Sequence, residues 1–176
     1  MSRAFVNEDA GADRPDLPEL PLSPHPNYVT PRGLADLQAR LAARQADLAA
    51  LRAREDRLDK LPEAAAERDI RWLEARLKAA IPVDPAALPL TEVAFGLRVT
   101  VADEDGQEAI YDITGEDEAD PALGRIAPQS PLARALLGAH VGDEVTWARP
   151  AGNLTLEILS IDHVPDPSAD PDDPAA

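Results

Sequence analysis

Leucine recurs at positions 34, 37, 41, 48, 51 and 58, and after a break the same spacing returns as Ala66, Ile70, Leu73, Leu77 and Ala80. Steps of three, four and seven put such residues on one side of an α-helix. The break is Lys60-Leu61-Pro62-Glu63. Proline inside a helix removes a hydrogen bond and collides with the preceding turn, but it suits the first helical position, where no N–H is missed. Thr30-Pro31 gives the first helix the same kind of start, a hydroxyl cap followed by proline. The second helix is expected to stop near Ile81-Pro82. Two stripes joined by so short a turn must bury themselves against each other, as an antiparallel hairpin. A second arm of about 19 residues limits the paired length to about 28 Å. Arg44 and Glu55 interrupt the first stripe. Trp72 lies off the second, where it either covers the hairpin's flank or meets a partner.

Beyond "PVDPAALPLTEV" the apolar period changes from helical to two. "FGLRVTVADEDGQEAIYDI" holds two alternating runs around Asp105-Gly106, a hairpin signal. "SPLARALLG" reads as one short helix, with Ser130 as cap, Pro131 at its first position and Gly138 as its stop. "DEVTWARPAGNLTLEILSID" adds two strands around a Pro-Ala-Gly-Asn turn. Four strands and one short helix make a small antiparallel-sheet domain, so the fold class is α+β. Aromatic residues are only 3% of the chain, which leaves its cores to Leu, Ala, Val and Ile. The expected organisation is an acidic, proline-rich disordered or extended arm (1–26), the helical hairpin (27–81), a linker (82–90), the sheet domain (91–163) and an acidic tail (164–176).

Charge narrows the function. The formal net charge is −16, yet residues 31–80 carry eleven basic and nine acidic groups, while residues 81–163 carry four basic and fifteen acidic. Nucleic-acid binding draws on cations that displace counterions, so autonomous binding is not expected and a basic protein partner fits better. No cysteine is present, which excludes disulfides, thiolate metal sites and cysteine nucleophiles. The opening "MSRAFVNEDAGADRP" has no apolar core of a secretory signal, and no apolar run approaches the roughly 18 residues of a membrane span. A cytoplasmic monomer is expected.

Catalytic motifs are missing: there is no Gly-rich phosphate loop, no GxSxG and no HExxH. His25, His140 and His163 lie far apart in different kinds of element, so a shared metal or catalytic site is not expected. The run Glu116-Asp117-Glu118-Ala119-Asp120 lacks the spacing and glycine of a calcium loop. The reading is therefore of a non-enzyme with no cofactor and no metal.

The segments "NYVTPRGLADL", "VAFGLRVTV", "YDITGEDEADPALGRIAPQSPLARALLG" and "VGDEVTW", in this order around a helical hairpin, resemble the Gre transcript-cleavage factors, GreA and GreB. The resemblance spans roughly residues 27–163 and is most specific after residue 110. It implies an FKBP-like C-terminal domain that grips the rim of the secondary channel of bacterial RNA polymerase, while the hairpin enters the channel. The polymerase contact is implied at Asp117, Glu118, Asp120, Ser130, Pro131, Leu132 and Arg134. The bottom-up alternative is that these acids only solubilise the domain and Ser130-Pro131 only starts a helix.

At the hairpin tip the chain departs from the family. Gre tips carry a pattern like Asp-x-x-Glu-Asn-Ala-Glu-Tyr, whose acids help hold a second Mg²⁺ at the polymerase active centre. "REDRLDKLPEAAAERD" has acids but not that pattern, and the arms look shorter by about ten residues each, or about 15 Å of reach. Asp56, Asp59, Lys60 and Glu63 are the channel-facing candidates by location, and none inherits the catalytic role. The implied function is a regulator that binds polymerase without stimulating cleavage, resembling Rnk, a Gre relative with a shortened hairpin. The alternatives are a working cleavage factor that rescues backtracked polymerase and, more remotely, an FKBP-like prolyl isomerase.

Overall fold

The structure is a computed structural model that describes residues 17–55 and 59–165. It divides into two compact units: one holds residues up to Pro24 together with Leu37–Lys78, the other His25–Asp36 with the chain from Ala79 onward.

The first unit is the helical hairpin. α1 (Pro31–Arg52) and α2 (Leu61–Lys78) supply its two arms, and the first turn and a half of α1 belongs to the other unit. Leu37 and Leu48 of α1 are buried, as are Ala66 and Leu73 of α2. Leu41 and Leu51 are only half-buried. Arg44, which breaks the leucine stripe, crosses to α2 and donates from Nε to Asp69 at 3.1 Å and from Nη1 to Asp47 at 3.2 Å. Arg52 reaches Glu67 at 2.7 Å. The seam is thus part apolar and part ionic. α2 starts one residue before the expected Pro62, because Asp59 Oδ1 accepts from the Leu61 N–H at 2.9 Å and Lys60 C=O from Ala64 at 3.0 Å. It also ends earlier than expected, at Lys78.

The reason for that early end is a strand. In the second unit β1 (Asn27–Val29) pairs in parallel with β2 (Ala80–Pro82), Asn27 opposite Ala80 and Val29 opposite Pro82. The Ile81 expected as a helix terminus is therefore extended backbone. The main sheet is built from β3 (Leu97–Asp103), β4 (Glu108–Ile113), β5 (Arg125–Ile126), β6 (Glu144–Trp147) and β7 (Leu154–His163), in the order β5-β4-β3-β7-β6. The α+β class stands, but the sheet is mixed rather than wholly antiparallel, since the short β5 lies parallel to β4.

Alternation along β3 drives the core. Leu97, Val99 and Val101 are fully buried, and Ile113 of β4 and Ile158 of β7 join them. α3 (Pro131–Leu136) closes this core with Leu132, Ala133 and Leu136. Its Ser130 cap accepts from the Ala133 N–H at 3.2 Å. At the β3–β4 turn, Asp103 Oδ1 accepts from Asp105 and Gln107, and Gly106 takes the positive φ of 75° that the turn requires. On the face away from the core, Arg98 and its cross-strand partner Asp112 form a two-bond pair at 2.7 and 3.0 Å.

The Arg44–Asp69 pair yields a pH-dependent prediction. Burial acts to raise the Asp69 carboxyl, but hydrogen bonds from Arg44 and Arg68 outweigh it and hold the group below its ordinary value. A carboxylate depressed in the folded state stabilises above its unfolded pKa, about 4, and loses that contribution as pH falls through its folded value. Arg44 is 41% exposed and Asp69 19%, so solvent screening limits the pair to about 1 kcal/mol. Asp69→Asn is expected to lower hairpin stability by that amount at neutral pH in helix-monitored thermal melts. The difference should vanish in strongly acid solution.

Candidate functional site

The strand β4 runs out through Thr114 and Gly115 into a 3-10 turn at Glu116–Glu118, then a second at Pro121–Leu123, before β5 and α3. This stretch holds most of the residues expected at the partner contact.

Glu118 turns inward. Its Oε1 accepts from the backbone N–H of Thr30 and of Gly115, both at 3.2 Å, and its Oε2 accepts from the Thr30 hydroxyl at 2.6 Å. The same hydroxyl oxygen accepts from Gly33 N–H at 3.0 Å. A relay thus runs from the first turn of α1 through the Thr30 cap to a carboxylate, which also meets the positive end of the helix dipole. The approach demands glycine. A Cβ on Gly33 would stand 2.1 Å from Glu118 Oε1, and one on Gly115 would stand 2.8 Å from both that oxygen and Tyr28 C=O.

Asp120 is also engaged locally. Its carboxylate accepts from Ala122 N–H at 3.1 Å, and its backbone bonds Arg125 in both directions. Asp117 is half-buried. Ser130 is the α3 cap already described, and Leu132, only 4% exposed, belongs to the core. Pro131 and Arg134 are exposed. Of the seven residues expected there, Glu118, Asp120, Ser130 and Leu132 also brace the fold, Asp117 is half-buried, and Pro131 and Arg134 face outward.

Arg134 opens on a cleft of about 450 Å³ lined also by His25, Pro26, Tyr28, Glu116, Pro128 and Gln129. Tyr28 is exposed and its ring centroid lies 5.8 Å from that of Phe95. Gln129 Oε1 is buried without a hydrogen-bond partner among the described residues. An uncompensated buried acceptor is costly. Sequence reasoning did not find Tyr28, Glu116 or Gln129 as cleft residues, because nothing in their spacing announces that the 25–29 segment lies beside the loop before α3. Tyr28, a large side chain just ahead of a helix cap, was the nearest thing to a signal.

A second cleft, about 560 Å³, is lined by Thr30, Asp112, Thr114, Glu118, Arg125 and His163 among others. Phe95, Tyr111 and Trp147 do not line it, so it lacks the aromatic walls a prolyl isomerase needs.

At the hairpin tip Asp56 lies outside the described residues. Asp59 caps α2, Lys60 Nζ stands 3.9 Å from Glu63, and Glu63 is 9% exposed. Among the described residues no group of three His, Asp or Glu side chains could hold a metal ion, and no helix is long and apolar enough to cross a membrane.

Residues 88–163 match the family described as "Transcription elongation factor, GreA/GreB, C-term". The chain is 43% identical over 99 residues to transcription elongation factor GreB of Neisseria meningitidis serogroup B, covering 56% of this chain and 61% of that protein. It is 38% identical over 100 residues to GreA of Pseudomonas putida, covering 56% and 62%. It thus spans about three-fifths of the length of these relatives. The GreA/GreB structure from Nitrosomonas europaea aligns over 78% of this chain and 99% of its own, at 23% identity and a TM-score of 0.40, a likeness on which no argument rests.

The Glu118 relay is testable by a double-mutant cycle. Alanine in place of glycine favours a helix by up to about 1 kcal/mol. Here it would expel Glu118 and break bonds to a charged acceptor, a loss of about 1.5–3 kcal/mol. Gly33→Ala is therefore expected to destabilise the folded chain by about 1–2 kcal/mol in denaturant titrations. In a Glu118→Ala background the same change should become neutral or stabilising.

Proposed function

We propose that this chain, whose residues 88–163 match the GreA/GreB C-terminal family model, is a Gre-type transcription factor. It binds bacterial RNA polymerase at the rim of the secondary channel and modulates transcription without stimulating transcript cleavage. The observation that carries the docking half is the outward face of α3: Pro131 and Arg134 are exposed, and Arg134 opens on a cleft lined also by Tyr28 and Glu116. A partner that supplies an acid to Arg134 meets the exposed cation of this face. Glu118 and Asp120 contribute by holding that face in shape, while Asp117 and Glu116 supply the acidic border.

The non-cleaving half rests on the tip. A tip that delivers a metal ion to another molecule's active centre needs carboxylates that point outward and lie within a few tenths of an ångström of their positions. Asp59 is engaged as the cap of α2 and Glu63 is buried in the hairpin. The family's Glu-Asn-Ala-Glu-Tyr pattern is absent from residues 54–69. The chain then acts as a monomeric occupant of the channel and competes with cleavage-active relatives.

A stalled, backtracked polymerase from the same organism is the test, with GreA as the positive control. The expected result is no shortening of the RNA by this protein, and loss of GreA-stimulated cleavage as it is added. Shortened RNA would establish a cleavage factor instead. Arg134→Glu is expected to weaken the competition by at least about tenfold, since it reverses a charge at the contact. Its thermal stability should stay within about 0.5 kcal/mol of the native chain.

A further inference from the structure

The hairpin flank carries a ligand from its own chain. Residues 17–24, Leu-Pro-Glu-Leu-Pro-Leu-Ser-Pro, form neither helix nor strand. Glu19 Oε1 accepts from Arg71 Nε at 3.1 Å and from Arg71 Nη2 at 2.6 Å. Two residues later the Pro21 carbonyl accepts from the Trp72 indole N–H at 3.0 Å. Between these anchors the half-buried Leu20 lines a depression of about 570 Å³ with Ala43, Trp72, Leu73 and the polar side chains Arg44 and Asp69. The guanidinium groups of Arg40 and Arg76 lie 5.7 and 5.9 Å from the centre of the Trp72 ring. Pro18 and Pro21 restrict the backbone to the extended form that spaces carboxylate, leucine and carbonyl.

We propose that Arg71, Trp72 and the apolar flank against which Leu20 packs, bordering the depression, form a recognition groove for an extended acidic Leu-Pro peptide. Residues 17–24 occupy its Arg71 and Trp72 contacts in cis, and a protein partner bearing a Glu-Leu-Pro segment binds there once the arm is displaced. The occupant defines the class of partner. The cation takes the carboxylate, the indole N–H takes a carbonyl, and the apolar wall takes the leucine. A nucleic acid would satisfy Arg71 but would bring its phosphates against Asp47 and Asp69, which also line the depression. The arm is held by an exposed ion pair and one neutral hydrogen bond, both weak, so tethering supplies much of its occupancy.

The test uses the full chain with Trp147→Phe, which leaves Trp72 as its one tryptophan. Glu19→Lys is expected to raise acrylamide quenching of Trp72 about two- to fivefold, with helical circular dichroism unchanged. Adding Arg71→Glu should reverse the rise. A synthetic peptide of residues 15–24 should restore protection to the Glu19→Lys chain, whereas a peptide with lysine in place of the glutamate should not. Thermolysin cleavage of residues 17–22, followed with Trp147 retained, should accelerate by a similar factor. Unchanged quenching and cleavage in Glu19→Lys would overturn the cis contact. Equal rescue by both peptides, or rescue by neither at millimolar concentration, would overturn the recognition groove.

Discussion

Much of the second unit is organised around the carboxylate of Glu118. It answers three donors: Thr30 N–H and the Thr30 hydroxyl, 88 residues away, and Gly115 N–H, three residues away. The start of α1 has orphan N–H groups that need an acceptor, and a carboxylate placed there also meets the dipole. This approach is close enough to exclude a β-carbon at both Gly33 and Gly115. The 25–36 segment is therefore fixed against the turn that follows β4. Tyr28 and His25 come with it, and they form the wall of the cleft on which Arg134 opens.

That constraint changes how the acidic turn is understood. A run of four acids in five residues reads as a surface field, yet Glu118 and Asp120 both serve backbone N–H groups of their own chain. Leu132 is similarly divided from its neighbours: the i, i+2 relation between Leu132 and Arg134 sets them on different sides of a short helix, one in the core and one in solvent. A short sequence motif can thus mix residues that face solvent with residues that brace the fold.

Features governed by local rules were legible in the sequence. The Thr30 and Ser130 caps, the Asp105-Gly106 turn and the alternating β3 all depend on neighbours a few residues away, and all are where spacing puts them. What escaped depends on distant partners. β1 and β2 have three residues each, too few for any period, and their pairing joins positions about fifty residues apart. β5 has two residues, and its parallel alignment follows from the route taken by the preceding turns. Glu118 looked like its acidic neighbours because no local pattern distinguishes a carboxylate that reaches a helix start 88 residues earlier. The same holds for Arg44, an interruption in a leucine stripe until Asp69 stands opposite it.

The pairing of β1 with β2 has a topological consequence. Val29 and Ala80 lie at the two ends of the hairpin segment, and Val83 N–H adds a 2.9 Å bond to Val29 C=O. The fifty or so residues between them form a loop whose closure entropy is borne by the sheet domain rather than by the helices. Melting or fraying the helices therefore does not set their roots adrift, and refolding begins from tethered ends. A backbone break in the bend would leave two fragments that stay together as one particle, each still stitched to the domain from which its helix departs.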